Sequence, residues 1–369
     1  MQQYALTVLL LLSILSCSNG DKGGEIKVGV ILPLTGKYSV IGEGEKKGVV
    51  LALADLRERH PNVFFTVFYE DFGSDTKNAI TAAKKLIHSD GVSAIITSTT
   101  AACEAVSPIT DSQGGVHFVI SPDPAIVSSY RNNFRIYYNY LLEANAIETR
   151  VKETGAHSMS ILGSSYSSIE KLITDHVIPS MKKQGIQVDV VEFVSTDAAD
   201  IRTPILKVKS AGSDLLFLAP MTNQVKMFTD QLQSYDVKPG GSTHVLGSFT
   251  YNWQPAQYLA TLEGYEIISP AYSGQLKQCE FTKKFHTAYG IDPTFDMAYA
   301  YDNLSILSSL LLQDHSTQGF AQKFNSLGSL DGVSGKIDFV GDNETSVALA
   351  IQSVSNDSLR YKFTESHER

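Results

Sequence analysis

The chain is predicted to be an α/β protein of two lobes, each built on a parallel sheet. Three observations carry that prediction. Short β-branched runs alternate with helical stretches of roughly 10 to 17 residues, the pattern of parallel sheets covered on both faces. The alternation comes in two series that break near Tyr140. Beyond an N-terminal leader about 350 of the 369 residues remain, too many for one compact core and suited to two domains.

In the first series, 26–32 reads as a buried strand and 43–59 as a helix with Val49, Val50, Leu53 and Leu56 on one face. Strand 63–69 precedes a helix over 75–89, where Ile80, Ala83, Leu86 and Ile87 recur at helical spacing. Strand 94–96, helix 100–112 and strand 116–120 complete it. The second series predicts helix 142–154, strand 158–162, helix 168–184, strand 188–193, helix 201–210 and strand 215–218. A helix over 225–234 and strands at 244–246 and 265–268 follow. Helices 278–289, 295–312 and 320–326 and strands 335–339 and 347–354 end the chain. In open parallel sheets ligands sit beyond the carboxyl ends of the strands, where helix N-termini offer unpaired N–H groups. A site is therefore expected in the loops after Leu32, Ile96, Ile120, Leu162, Leu218 and Leu246.

Residues 4–16 form an uncharged apolar run, shorter than the ~20 residues of a membrane-spanning helix and suited to a signal-peptide core. No Lys or Arg precedes it. Ile14-Leu15-Ser16-Cys17 resembles the lipobox of bacterial lipoproteins, in which the Cys becomes the lipidated first residue. The alternative is an ordinary signal peptide with an incidental Cys. The expectation is a signal peptide over 1–17 with lipidation at Cys17, a polar tether over 18–24, and a protein anchored at the periplasmic face of a membrane. The net charge of −9, with no basic face, argues against a nucleic-acid partner. Cys103 and Cys279 are far apart in sequence and could form one disulfide in an oxidising compartment.

Enzyme motifs are missing. Gly42-Glu43-Gly44 lies too far past its strand, and lacks a third glycine at the proper spacing, to be a dinucleotide fingerprint. There is no Walker loop, nucleophile elbow or metal-type His/Cys cluster, and the nine histidines are scattered. Glu70-Asp71 at a strand end reads as a cap for the following turn rather than an acid/base pair.

Residues 26–36, followed by Gly42 and Gly48, resemble the opening of the leucine/isoleucine/valine-binding protein family. Glu70-Asp71, Ser121-Pro122, Phe134-Arg135, the stretch 289–296 and Ala300-Tyr301-Asp302 continue the resemblance in family order. It implies the type I periplasmic binding protein fold, two Rossmann-like lobes joined by three crossover strands. The first lobe would be 25–136 plus 269–331, and the second 140–266 plus 335–361. It further implies a monomer without cofactor that closes by hinge bending on a small molecule. The closed form would dock on an ABC permease of the inner membrane. A lipoprotein that senses a ligand and signals to a separate membrane partner is the alternative reading.

The resemblance also implies site residues. Ser98, Thr99 and Thr100, which head a helix, form the first-lobe anchor, a role compatible with helix capping. The second anchor is the segment of Pro122 and Asp123, where amino-acid binders usually offer a hydroxyl and this chain has none. Tyr38, Tyr138, Tyr166 and Tyr272 are expected against the ligand, with Met221, Thr222 and Phe249 from second-lobe loops. Amino-acid binders carry an acid near position 249; this chain has Phe249 there, and Tyr140 at a second acidic position. Enclosing an unpaired ammonium is costly. An α-amino acid is therefore expected to bind poorly unless Glu143, Asp123 or Asp296 swings in. The expected ligand is branched-chain amino acid-like or, in preference, an aromatic acid, amide or other small metabolite of little positive charge.

Overall fold

The computed structural model describes residues 25–240, 243–270, 279–313 and 316–355, and the backbone of strand 358–363. The signal peptide, Cys17, the tether and Tyr272 lie outside the described residues. The first lobe alternates β1 (Glu25–Leu32), α1 (Ser39–Arg59), β2 (Phe64–Asp71), α2 (Thr76–Lys85), β3 (Ala94–Ser98), α3 (Thr100–Ser112), β4 (Val116–Ile120), α4 (Pro124–Ser128) and β5 (Asn133–Phe134). Residues 135–139 then cross to α5 (Tyr140–Thr154). The second lobe continues with β6 (Ser158–Ser165), α6 (Ser167–Lys171), α7 (Ile178–Lys183), β7 (Gln187–Ser195), α8 (Arg202–Ala211) and β8 (Leu215–Ala219). α9 (Val225–Ser234), β9 (His244–Gly247), α10 (Ala256–Leu259) and β10 (Glu266–Pro270) follow. The chain ends with α11 (Glu280–Tyr289), α12 (Phe295–Leu311), α13 (Phe320–Asn325), β11 (Ser329–Gly332), β12 (Gly335–Gly341), β13 (Glu344–Val347), β14 (Leu349–Ser355) and β15 (Ser358–Phe363).

The first sheet is β2-β1-β3-β4-β5, parallel throughout. The second is β15-β14-β10-β9-β8-β6-β7, parallel from β10 to β7 with an antiparallel edge at β14 and β15. In each sheet the order reverses, after β1 and after β6, and such switch points open a crevice at the carboxyl ends of the strands. β1 shows why its run is apolar on both sides: Val28, Val30 and Leu32 join the core with Val49 of α1 and Tyr299 of α12, while Ile31 joins the core of α2 and α3.

Where elements differ from expectation, the cause is local. α1 begins at Ser39 rather than 43, because Gly42 and Gly48 act as contact points rather than breakers. A Cβ on Gly48 would lie 2.1 Å from the Met297 carbonyl oxygen, and one on Gly42 2.3 Å from that of Pro33. The helix expected over 168–184 is α6 and α7 joined by a π-helical stretch, with a proline in the first turn of α7. The hairpin strands β11 and β13 and the edge strand β15 were not predicted; β11 is mostly exposed and lacks the apolar run that marks a central strand. Cys103 is buried, its thiol donating to the Thr97 carbonyl (3.1 Å), while Cys279 Sγ lies 3.4 Å from Thr282 Oγ1, so the two are not bridged.

Candidate functional site

Loops from both lobes and the first crossover segment enclose a cavity of ≈ 130 Å³. A cavity of about 150 Å³ holds benzene, so the space suits a compact ligand of that order. The first lobe contributes Tyr38 and Ile41 after β1, Glu45 on α1, Ser98, Thr99 and Thr100 after β3, and Ile120 and Pro122 after β4. The crossover gives Tyr137 and Tyr138. From the second lobe come Tyr140 and Glu143 of α5, Tyr166, Ser168, Ile169 and Leu172, Ala219, Met221 and Thr222, and Ser248, Phe249, Thr250 and Trp253.

The first-lobe wall is polar and tightly made. Thr99 has φ +73°, an outlier for a β-branched residue, held by its N–H on the Ile120 carbonyl (3.2 Å) and by Cys103 N–H on its own carbonyl (2.9 Å). This kink turns the chain from β3 into the N-terminus of α3. Ser98 Oγ donates to Glu45 Oε1 (2.7 Å), and Thr100 Oγ1 lies 3.0 Å from Ser121 Oγ. Glu45 is fully buried and its second oxygen has no hydrogen-bond partner. Burial, with Asp296 adding to it, pushes its carboxyl well above the usual range against the Ser98 bond.

The second-lobe wall is aromatic. Phe249 stacks on Tyr138 with ring centroids 3.6 Å apart and meets Phe295 edge-on at 4.6 Å; Trp253 lies 5.3 Å from Phe295. Asn252 Nδ2 fixes the loop by donating to the Phe249 and Ile268 carbonyls (2.9 and 2.7 Å). Met221 N–H donates to Ser164 Oγ (2.7 Å), and Gln254 Nε2 to the Thr222 carbonyl (2.6 Å). The Phe249 N–H donates to Glu143 Oε1 (3.0 Å). Burial raises Glu143 to about 7 and Asp296 to about 6.

Ten of the twelve expected ligand contacts thus face one cavity. Asp123 does not: Oδ1 accepts the Ala125 N–H (2.9 Å) as the cap of α4, and Oδ2 meets Lys171 Nζ (2.7 Å). The twelfth, Tyr272, is not described. The ground for expecting a ligand of little positive charge also changes. Phe249 and Tyr140 are indeed not acidic, but Glu143, one helical turn after Tyr140, brings a carboxylate onto the backbone of Phe249 without any swing. Glu45 was missed. Its sequence signal is a lone acid among Ile41, Gly48, Val49 and Ala52 on the inward stripe of α1.

At the mouth the lobes touch. Tyr38 and Tyr166 rings are 6.1 Å apart, with Lys37 Nζ 5.0 and 5.8 Å from their centroids. Lys171 of α6 reaches across to Glu104 of α3 (2.5 Å) as well as to Asp123. This is a closed cleft.

A sequence model described as periplasmic binding protein matches residues 25–358. The Leu/Ile/Val-binding protein homolog 7 of Brucella suis biovar 1 is 21% identical over 313 residues, 78% of this chain and 76% of its own length. The leucine-binding protein of Thermotoga maritima superposes with TM-score 0.78 at 18% identity, covering 91% of this chain and 97% of that one. A branched-chain amino acid transporter substrate-binding protein of Streptococcus pneumoniae, in complex with isoleucine, gives 0.79 at 15% identity over 92% and 99%. A solute-binding protein of Rhodopseudomonas palustris, in complex with 3,4-dihydroxybenzoic acid, gives 0.78 at 16% over 92% and 96%. With that match spanning both lobes and the two-sheet architecture shared, the chain belongs to the periplasmic binding protein family.

Proposed function

We propose that this protein is the solute receptor of an ABC-type importer: an exported monomer, anchored by lipid at Cys17, that closes on a small molecule, performs no chemistry and presents its closed form to an inner-membrane permease. The observation that carries this reading is the enclosed cavity between two lobes that already touch at its mouth. A receptor needs such a site; a catalyst would further need a nucleophile or acid/base pair aimed at bound substrate, and the functional groups here are mostly structural partners of one another. The sequence left two ligand classes, one resembling branched-chain amino acids and one of less cationic aromatic acids and amides. Both share a compact apolar body, and it is the body that Tyr138, Phe249, Trp253, Ile41 and Ile169 specify.

The test is to purify residues 25–369, remove bound ligand by unfolding and refolding, and screen metabolites by thermal shift with leucine, isoleucine and valine as references. A ligand that binds only the native state stabilises by about 4 kcal/mol at a thousandfold excess over Kd. A large shift with one compact apolar-bodied class supports the receptor. A flat response across a metabolite library, or turnover of a library compound, contradicts it.

A further inference from the structure

The cavity's apolar body is bounded by an unusual set of charges. Two carboxyl groups line it, Glu45 and Glu143, and among the described residues no Lys, Arg or His lines it. Both are fully buried. Asp296, also buried, stands behind them: the Tyr137 hydroxyl of the crossover is pushed up first by burial, with Asp296, Glu45 and Glu143 adding to it. Cations around the cavity are committed elsewhere: Lys171 to Glu104 and Asp123, Lys37 over the rings of Tyr38 and Tyr166, and the buried Arg135 to Glu344 and the Ser121 carbonyl. Glu45 Oε2 is a buried acceptor with no partner, and a buried carboxylate with an unused oxygen is a group awaiting a donor.

We propose that the cleft takes a small amine cation that carries no carboxylate, its ammonium held by Glu143 and Glu45 and its body enclosed by Tyr138, Phe249 and Trp253. This rests on the receptor reading of the same cavity and adds the charge of its ligand. Aromatic faces attract a desolvated cation, and their π-systems repel an anion. An anionic ligand would have as its main attraction the N-terminus of α3, worth about half an elementary charge. Facing that are two carboxyl groups that a ligand anion would keep protonated. Ser98, part of the first-lobe anchor that the resemblance implies, donates its hydroxyl to Glu45. The unpartnered donors on the lining, Trp253 Nε1 and the hydroxyls of Tyr38 and Tyr140, are neutral and are matched by a neutral acceptor such as a hydroxyl or amide oxygen. The class is therefore an amine whose second polar group, where it has one, is uncharged.

The test is an isosteric charge series on the full exported and processed protein, stripped of ligand. On a branched body it compares leucinol and leucinamide (cations), leucine (zwitterion) and 4-methylpentanoate (anion). On an aromatic body it compares benzylamine, benzamide and benzoate. Titration calorimetry should find leucinol, leucinamide or benzylamine at least tenfold tighter than the carboxylated member of its own series. Glu143→Gln keeps an acceptor for the Phe249 N–H and so the fold, yet should weaken the amines by tenfold or more while leaving benzamide within twofold; Glu45→Gln should do the same. If leucine or a carboxylate is the tightest binder, the proposal is overturned and the receptor reading stands. If amines bind equally well to both Gln variants, the proposal is again overturned. If no member of either series binds, the proposal is overturned, and the receptor reading falls with it only where the wider metabolite library is also flat.

Discussion

The two walls of the cavity are made by different physics. The first-lobe wall is backbone and hydroxyl: a strained Thr99, Ser98 spent on Glu45, and Thr100 against Ser121, all placed by the turn from β3 into α3. The second-lobe wall is side-chain mass, with Phe249 wedged between Tyr138 of the crossover and Phe295 of the first lobe. Rigid polar geometry suits orientation of a ligand, whereas large aromatic area suits its enclosure and joins the lobes. The difference teaches that closure energy and head-group recognition sit on opposite sides of the cleft, and substitutions should separate them.

The largest effect is expected at Phe249. Phe249→Ala removes a fully buried ring from a stack that spans both lobes and should cost about 3–5 kcal/mol of stability. Urea unfolding should show the midpoint falling, with loss of ligand affinity far beyond that of any first-lobe substitution. A cost under about 1 kcal/mol would mean the stack is not what joins the walls.

Next is the pH dependence that the second-lobe acid imposes. Glu143 is raised by burial to about 7, with Tyr137, Tyr138 and Tyr140 as its titratable neighbours, all still protonated there. An unfolded Glu titrates near ~4.3. Between those values the folded ligand-free protein holds a proton that the unfolded chain has released, so stability is full below about pH 4 and falls as pH rises through 7. The loss should approach roughly 4 kcal/mol by pH 8. Glu143→Gln should flatten that part of the curve in chemical denaturation from pH 5 to 8. An unchanged slope would show that Glu143 is solvated in solution.

These two cases also show how much of the molecule was legible. Apart from β5 and β15, the strands of the two large sheets follow from their apolar, β-branched runs, and α3 and α9 fall on the predicted residues because helical spacing marks them clearly. The loops at the strand ends were legible for the same reason: a parallel sheet leaves one end for a site. What stayed hidden depends on contacts that no local pattern encodes. Glu45 is one charge on an apolar stripe, and only the approach of α1 to β3 shows that Ser98 meets it. Glu143 was visible as a residue but not as the partner of the Phe249 backbone, 106 positions away. Asp123 was expected on the ligand and is instead the local cap of α4 and, through Lys171, an ion-pair partner of the second lobe. The edge strand β15 escaped because its residues carry no continuous apolar run.

A smaller effect is expected on the first-lobe wall. Ser98→Ala strips Glu45 of its one hydroxyl donor, and leaving a buried acceptor unsatisfied costs about 1–3 kcal/mol. Because that bond lowers the Glu45 carboxyl, its loss should raise it further. Thermal unfolding should show a fall smaller than that of Phe249→Ala. A larger fall would place the structural keystone in the first lobe and invert the comparison.

The smallest effect tests whether the walls are tied independently of ligand. Lys171 is over a third exposed, so its pairs with Glu104 and Asp123 are screened by solvent and salt, and exposed pairs contribute about 1 kcal/mol or less. Asp123 is nearly buried and keeps only the Ala125 N–H when Lys171 is removed, which sets the sign: closure becomes less favourable. Lys171→Met should leave the unfolding midpoint almost unchanged, because neither lobe loses core. It should instead increase the ligand-free radius of gyration in small-angle scattering and weaken ligand binding by no more than about fivefold, since apparent affinity scales with the closed fraction. High salt should bring the wild type toward the variant. If the variant scatters as the wild type at every salt concentration, the closed cleft is held by the Phe249 stack alone, and the second-lobe wall supplies both the enclosure and the tie.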